Sequence, residues 1–251
     1  MAIIIKSPEE IQKIYVSSQI AGKVLKFIEP HVTAGTTTNE LNDLCHNFIL
    51  EQDAIPSPLN YRGFPKSICT SVNQVICHGI PNETPLKTGD ILKIDVATLF
   101  NGFHGDTCKT FQVGKTSRAA RDLVQCTQEA LFKGIEAVKI GATFGDIGHA
   151  IQSFAEAKGY SIVREFCGHG IGKNFHEDPY VTHYGKKGSG PKIKEGMVFT
   201  IEPMLNQGKK EIVTLDDNWT VETKDKKLSA QFEHTIAVTK DGVRILSLIE
   251  E

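Results

Sequence analysis

The chain has 251 residues, 40% hydrophobic and 8% aromatic, enough to bury a sizeable core in one large domain or two small ones. A net charge of −2 offers nothing global to attract a nucleic acid or an anionic membrane. The opening stretch MAIIIKSPEEIQKI holds too short an apolar run for a secretory or membrane-spanning segment. The six cysteines (45, 69, 77, 108, 126, 167) are scattered with no C-x-x-C pair, which predicts reduced thiols in the cytoplasm.

In chain order, Ser7-Pro8-Glu9-Glu10 reads as a helix start, with Ser7 as N-cap and Glu10 as capping-box partner. Apolar residues at helical spacing continue it to Pro30. A second helix starts near Thr37, with Glu40 three residues on. Residues 54–66 form a loop by their prolines and glycine. Residues 67–76 read as one strand and lead into Cys77-His78-Gly79-Ile80-Pro81. Residues 91–111, ILKIDVATLFNGFHGDTCKTF, read as a hairpin around Asn101-Gly102, a pair that favours a two-residue type I′ turn. Helices are predicted over 119–138 and 144–157, the latter closed by Gly159. Strands are predicted over 160–166, 197–204, 212–221 and 229–238. This mixture makes an α/β or α+β fold, a single domain over 1–251.

The hairpin has a chemical consequence. With Asn101-Gly102 as its loop, Ala97 stands opposite Asp106 and Asp95 opposite Cys108. Side chains alternate along a strand, so Asp95 and Asp106 become diagonal neighbours on one face, roughly 7–8 Å apart at the backbone. Two carboxylates in an apolar run repel unless a counter-charge such as a divalent metal joins them.

The two halves, about 1–115 and 116–251, also repeat each other. Cys77-His78-Gly79-Ile80 matches Gly168-His169-Gly170-Ile171. Leu86 through Asp95 matches Ile193 through Glu202, and Asp106-Thr107 matches Glu233-His234. Each half therefore supplies one histidine and two carboxylates in the same order. A fused pair of this kind predicts packing about a pseudo-two-fold axis, with the acids converging near it. Carboxylates with one imidazole suit a pair of divalent ions, and two such ions suit hydrolysis of an amide or a phosphoester.

Six segments together resemble type I methionine aminopeptidases over nearly the whole chain: Cys77–Pro81, Ile94-Asp95-Val96, Phe103–Thr107, Gly168–Gly172, Phe199–Met204 and Ser229–Thr235. The resemblance is to the short bacterial form, and it implies the pita-bread fold, a curved, largely antiparallel sheet covered by helices. It also implies removal of the initiator methionine from nascent chains at the ribosome, by a cytoplasmic monomer with no nucleic-acid or membrane partner. Carried over by motif, Asp95, Asp106, His169, Glu202 and Glu233 are the implied ligands of two divalent ions (Co, Mn, Fe or Zn). Glu202 is the implied proton acceptor. His78 and His176 are the implied non-ligand histidines, facing the scissile amide nitrogen and the carbonyl oxygen. Tyr61, Cys69, Phe175 and Trp219 are the implied methionine pocket, whose aromatic lining suits a thioether. A monovalent cation is implied at backbone oxygens near Asn73, Val75 and Ser229. The chain's own start, Met1-Ala2, is an implied substrate. Pro58, Arg62, Phe64 and Ala97 depart from the residues frequent in bacterial members.

Three other readings share parts of this pattern. An X-Pro peptidase of the same fold would cleave Ala-Pro-Ala, and a two-metal phosphoesterase would hydrolyse nitrophenyl phosphate. A non-enzymatic relative would have lost ligands.

Overall fold

Helix caps written into the sequence set the first two helices. In the computed structural model, which describes residues 2–249 and so leaves Met1 outside, helix α1 runs Pro8–Ile28 and α2 runs Thr38–Glu51. Ser7 accepts from the Glu10 amide while the Glu10 carboxylate accepts from the Ser7 amide, and Thr37 and Glu40 repeat the exchange. Each box satisfies amides that the first turn leaves without helical partners. Helices α3 (Arg118–Glu136) and α4 (Phe144–Ala157) follow the same pair order in the second half. No described helix is long and apolar enough to cross a membrane.

The predicted hairpin is the spine of the sheet. Strands Ile91–Phe100 and Phe103–Gln112 pair antiparallel around Asn101 (φ 48) and Gly102 (φ 78), both left-handed as a type I′ turn requires. Ala97 faces Asp106 and Asp95 faces Cys108, the register the turn dictates. Strand Ile91–Phe100 also pairs with Cys69–Val72 and with Ile55–Pro56. On the other side, Phe103–Gln112 pairs with Glu233–Thr239, which pairs in turn with Val198–Ile201. Gly168–Gly170 and Glu177–Val181 complete that side, giving nine strands among the described residues with Gly242–Ile245 at one edge. The two halves of the chain thus meet strand to strand at the centre of one sheet.

Alternation then sorts the faces. Leu92, Ile94 and Val96 pack with Val24, Ile28 and Leu41 from α1 and α2. Phe199, Ile201 and Ile236 pack with Leu123, Ile135 and Ile151 from α3 and α4. Lys93, Asp95 and Ala97 point to the opposite face.

Several expected strands are shorter than the sequence pattern predicts. The one over 67–76 is two, Cys69–Val72 and Val75–Cys77, because Asn73 turns left-handed at φ 50. The one over 197–204 divides into Val198–Ile201 and Met204–Asn206 around Glu202-Pro203, and Pro203 has no N–H to continue a ladder. The one over 160–166 shrinks to Ser161–Ile162. Those over 212–221 and 229–238 become Ile212–Thr214, Val221–Thr223, Ser229–Gln231 and Glu233–Thr239. The 54–66 loop contains strand Ile55–Pro56 and a single turn, Tyr61–Gly63, in which Arg62 is left-handed at φ 50.

Candidate metal centre

Sheet register alone brings three of the predicted residues into line with Cys108. Cys69, Asp95, Cys108 and Glu233 are successive partners across four strands. Asp106 shares that face two residues before Cys108. His169 arrives between two glycines that close strand contact demands: a Cβ on Gly168 would lie 2.3 Å from the Thr200 carbonyl oxygen, and one on Gly170 2.2 Å from that of Asp178. Thr200 orients two groups with one hydroxyl, which accepts from the His169 amide at 3.0 Å and donates to Glu202 Oε1 at 2.8 Å. His169 Nδ1 contacts the Gly170 carbonyl oxygen at 2.9 Å as its donor, which leaves Nε2 as the electron-pair donor. That Nε2 lies 3.6 Å from Asp106 Oδ2 and 3.8 Å from Glu202 Oε1. Ligand atoms of Asp106, His169 and Glu233 all lie within 4.8 Å of one another.

The electrostatics of this cluster call for a cation. Burial, then repulsion from Asp106 and Glu202, holds the carboxyls of Asp95 and Glu233 well above the ordinary range. Burial lifts Glu202 to about 7 despite the opposing pull of His169. Burial works against a charged His169, yet hydrogen bonding to Asp106 and the charge of Glu202 raise its pKa. Asp106 Oδ1 and Glu233 Oε1 are buried with no hydrogen-bond partner. Orphaned buried carboxylate oxygens are costly, and a carboxylate–imidazole donor set is one that divalent ions favour. Asp106, His169 and Glu233 therefore fit a divalent ion, and Asp95 and Glu202 border the same point.

Above the cluster lies a cavity of about 360 Å³, and every predicted site residue lines it: His78, His176, Tyr61, Cys69, Phe175, Trp219 and the five acidic and imidazole groups. His78 holds a left-handed backbone (φ 55), and the next residue must be glycine, because a Cβ on Gly79 would lie 2.1 Å from the Thr70 carbonyl oxygen. The His78 ring stands edge-on to Phe166 at 5.2 Å and to Trp219 at 6.1 Å. Burial pulls its pKa to about 4, so the ring is neutral at neutral pH. His176 stacks on Tyr61 at 5.2 Å and lies 4.1 Å from the His169 ring. Desolvation first, then the nearby charges of His169 and Arg62, hold it below the ordinary imidazole value. Burial and the Asp95 charge keep Cys69 a thiol, so it lines the cavity without competing as a thiolate ligand.

The sequence model of the family described as "Metallopeptidase family M24" matches residues 12–240. This chain belongs to metallopeptidase family M24. It is 53% identical over 249 residues to the methionine aminopeptidase of Rickettsia prowazekii, covering 99% of this chain and 96% of that protein. Methionine aminopeptidase A of Synechocystis is 55% identical, covering 98% of its length. The crystal structure of the Rickettsia enzyme superposes with a TM-score of 0.97, covering 98% of this chain and all of the other. Prolidase from Pyrococcus furiosus shares the fold at a TM-score of 0.78 and 24% identity, and this chain spans 66% of it. The pita-bread fold is thus that of the M24 proteins.

Within this M24 chain, several functional positions escape sequence reasoning. Phe166 and Met204 line the cavity with Cys167, Tyr180 and Glu165. Met204 could have been found as the residue two beyond Glu202. His183 is 1% exposed, and its Nε2 accepts the Glu202 amide at 3.1 Å. No local motif marks it. Pro58, Arg62 and Phe64 also line the cavity. Divalent-metal use fits this M24 site, and at the place implied for a monovalent cation two carbonyl oxygens are already engaged. The carbonyl oxygens of Asn73 and Ser229 already accept Lys93 Nζ, at 2.9 and 2.8 Å. Burial lowers the Lys93 pKa to about 7, and these two oxygens are the acceptors a buried ammonium needs. With Lys93 protonated, a second unit charge about 4 Å away would be repelled by about 4 kcal/mol at an effective dielectric constant near 20. In the sequence, the sign of this arrangement is a lysine inside the apolar run that precedes Asp95.

Proposed function

We propose that this M24 protein is a methionine aminopeptidase that removes the initiator methionine from nascent chains whose second residue is small. One observation carries the reading: a carboxylate–imidazole cluster floors an aromatic and sulfur-lined cavity in a chain more than half identical, end to end, to proteins named for this activity. Asp95, Asp106, His169, Glu202 and Glu233 would hold two divalent ions, of Co, Mn, Fe or Zn. When bound, such ions supply Lewis acidity and a water of lowered pKa. Glu202, fixed by the Thr200 hydroxyl, would accept a proton from the attacking water. His78, neutral and held between Phe166 and Trp219, faces the scissile amide nitrogen and assists delivery to the leaving amine of the proton that Glu202 takes from the attacking water, so that its own ring ends neutral. His176 faces the carbonyl oxygen as a hydrogen-bond donor. Tyr61, Cys69, Phe175 and Trp219 enclose the methionine thioether. The six cysteines are unpaired, in keeping with a reducing cytoplasm, where the protein acts as a monomer on chains emerging from the ribosome.

The test is to strip the protein of metal, reconstitute it with each ion in turn, and assay four substrates. Met-Ala-Ser is cleaved only with divalent metal present, while Met-Lys-Ser, Ala-Pro-Ala and nitrophenyl phosphate survive. Efficient turnover of any of those three overturns the reading.

A further inference from the structure

We propose that Lys93 is a built-in replacement for a monovalent cation, its ammonium filling the place between the two halves that a free ion would otherwise occupy. Lys93 sits in strand Ile91–Phe100, on the same face as Asp95, and is 1% exposed. Its Nζ donates to the carbonyl oxygens of Asn73 at 2.9 Å and Ser229 at 2.8 Å. Among the described residues it makes no ion pair. A buried positive charge held by carbonyl dipoles alone is coordinated as an alkali ion is, by neutral oxygens and not by a counter-charge.

The two acceptors belong to different halves. Asn73 is the turn between Cys69–Val72 and Val75–Cys77, and Ser229 opens strand Ser229–Gln231, which ends two residues before Glu233. The Ser229 amide also donates to the Asn73 carbonyl oxygen at 3.1 Å, so the joint is closed at that point. Asn73 is fixed in its left-handed turn from both ends of its side chain. Its Oδ1 accepts the Ile91 amide at 3.0 Å and its Nδ2 donates to Asp90 at 2.8 Å. The Asn73 carbonyl is therefore aimed, not merely available. Lys93 ties three segments that lead to Cys69, Asp95 and Glu233, and so acts as a positioning residue for the acid cluster. Because the charge is covalently attached, the protein should need no dissolved monovalent ion.

The experiment compares potassium chloride, sodium chloride and tetramethylammonium chloride at one ionic strength. Two readouts are taken, the melting temperature of metal-free protein and the peptidase turnover of metal-loaded protein. The native protein should behave alike in all three salts. Lys93→Ala should lose about 10–100-fold in turnover in tetramethylammonium and recover saturably with potassium or methylammonium. Its metal-free melting temperature should rise by about 2–4 °C on adding either ion, as expected when a ligand binds only the folded state. Lys93→Gln, which fills the space without charge, should be impaired in every salt and recover less. A native protein whose melting temperature climbs saturably with potassium overturns the proposal. So does a Lys93→Ala protein equally impaired in all salts, since that is a packing defect only. If Lys93→Ala does not fold, the native protein and Lys93→Gln still decide. The turnover arm rests on the peptidase reading. The melting arm does not, so failure of one is distinguishable from failure of the other.

Discussion

His78 holds a left-handed backbone conformation that is strained for any residue bearing a Cβ. Such strain persists where surroundings fix it, and here Gly79 is wedged against the Thr70 carbonyl while Phe166 and Trp219 flank the ring. The ring is kept neutral and off the acid cluster, a role distinct from that of a ligand. His78→Ala should keep its metal and lose on the order of 10²–10⁴-fold in turnover, the usual worth of a positioned proton donor. Asp106→Ala should instead lose metal, because it deletes a donor and leaves its acidic neighbours crowded. Metal analysis beside steady-state kinetics separates the two, and a metal-free His78→Ala would make His78 a ligand. His78 was legible because Cys-His-Gly-Ile recurs around His169. Lys93 and His183 were not, because each matters through a partner distant in sequence: Ser229 for the first, Glu202 for the second.

Local chemistry determines some elements, and the neighbouring chain determines others. The capping boxes at Ser7 and Thr37 and the Asn101-Gly102 turn are self-contained within a few residues, so they could be read directly. The breaks at Asn73 and Pro203, and strand Glu177–Val181, depend on what pairs alongside, which no periodicity reports. The segment leading into α1 shows the same dependence. Lys6 forms a buried ion pair with Glu177, whose other oxygen accepts the Asn174 amide at 3.1 Å. The pair thereby fixes the loop that presents Phe175 and His176. Lys6→Met strands a buried carboxylate and should cost about 3–5 kcal/mol of stability, with the Michaelis constant raised. The double variant Lys6→Met, Glu177→Met should recover most of that loss. Thermal melts of the four proteins check it. A double variant no better than Lys6→Met would show that the pair itself, and not the stranded charge, is what matters.

Across the whole molecule, proton and metal compete for one centre assembled from both halves. Asp95, Glu202 and Glu233 have raised pKa values in the metal-free fold, so that fold binds more protons than the unfolded chain. Its stability from these groups therefore falls as pH rises, for Glu202 between the ordinary 4.5 and about 7. Metal binding expels the same protons, so metal affinity should rise with pH, by about tenfold per unit for each proton released. Calorimetric titrations at pH 5.5, 6.5 and 7.5, in buffers of different ionisation enthalpy, measure the slope and the proton count. The buried neutral His78 and His183 push stability the other way below about 6.5, but they do so in both forms and cancel in the difference. An affinity flat across that range would mean the acids are already ionised without metal.

Trp219 is the chain's single tryptophan, set edge-on between Phe64 and His78 in the wall of the cavity. All of the protein's indole fluorescence therefore originates at one spot, with no background from elsewhere in the fold. Whatever enters the cavity changes the polarity around that ring. The unlabelled molecule thus carries its own optical probe of occupancy, readable in real time at concentrations too dilute for calorimetry.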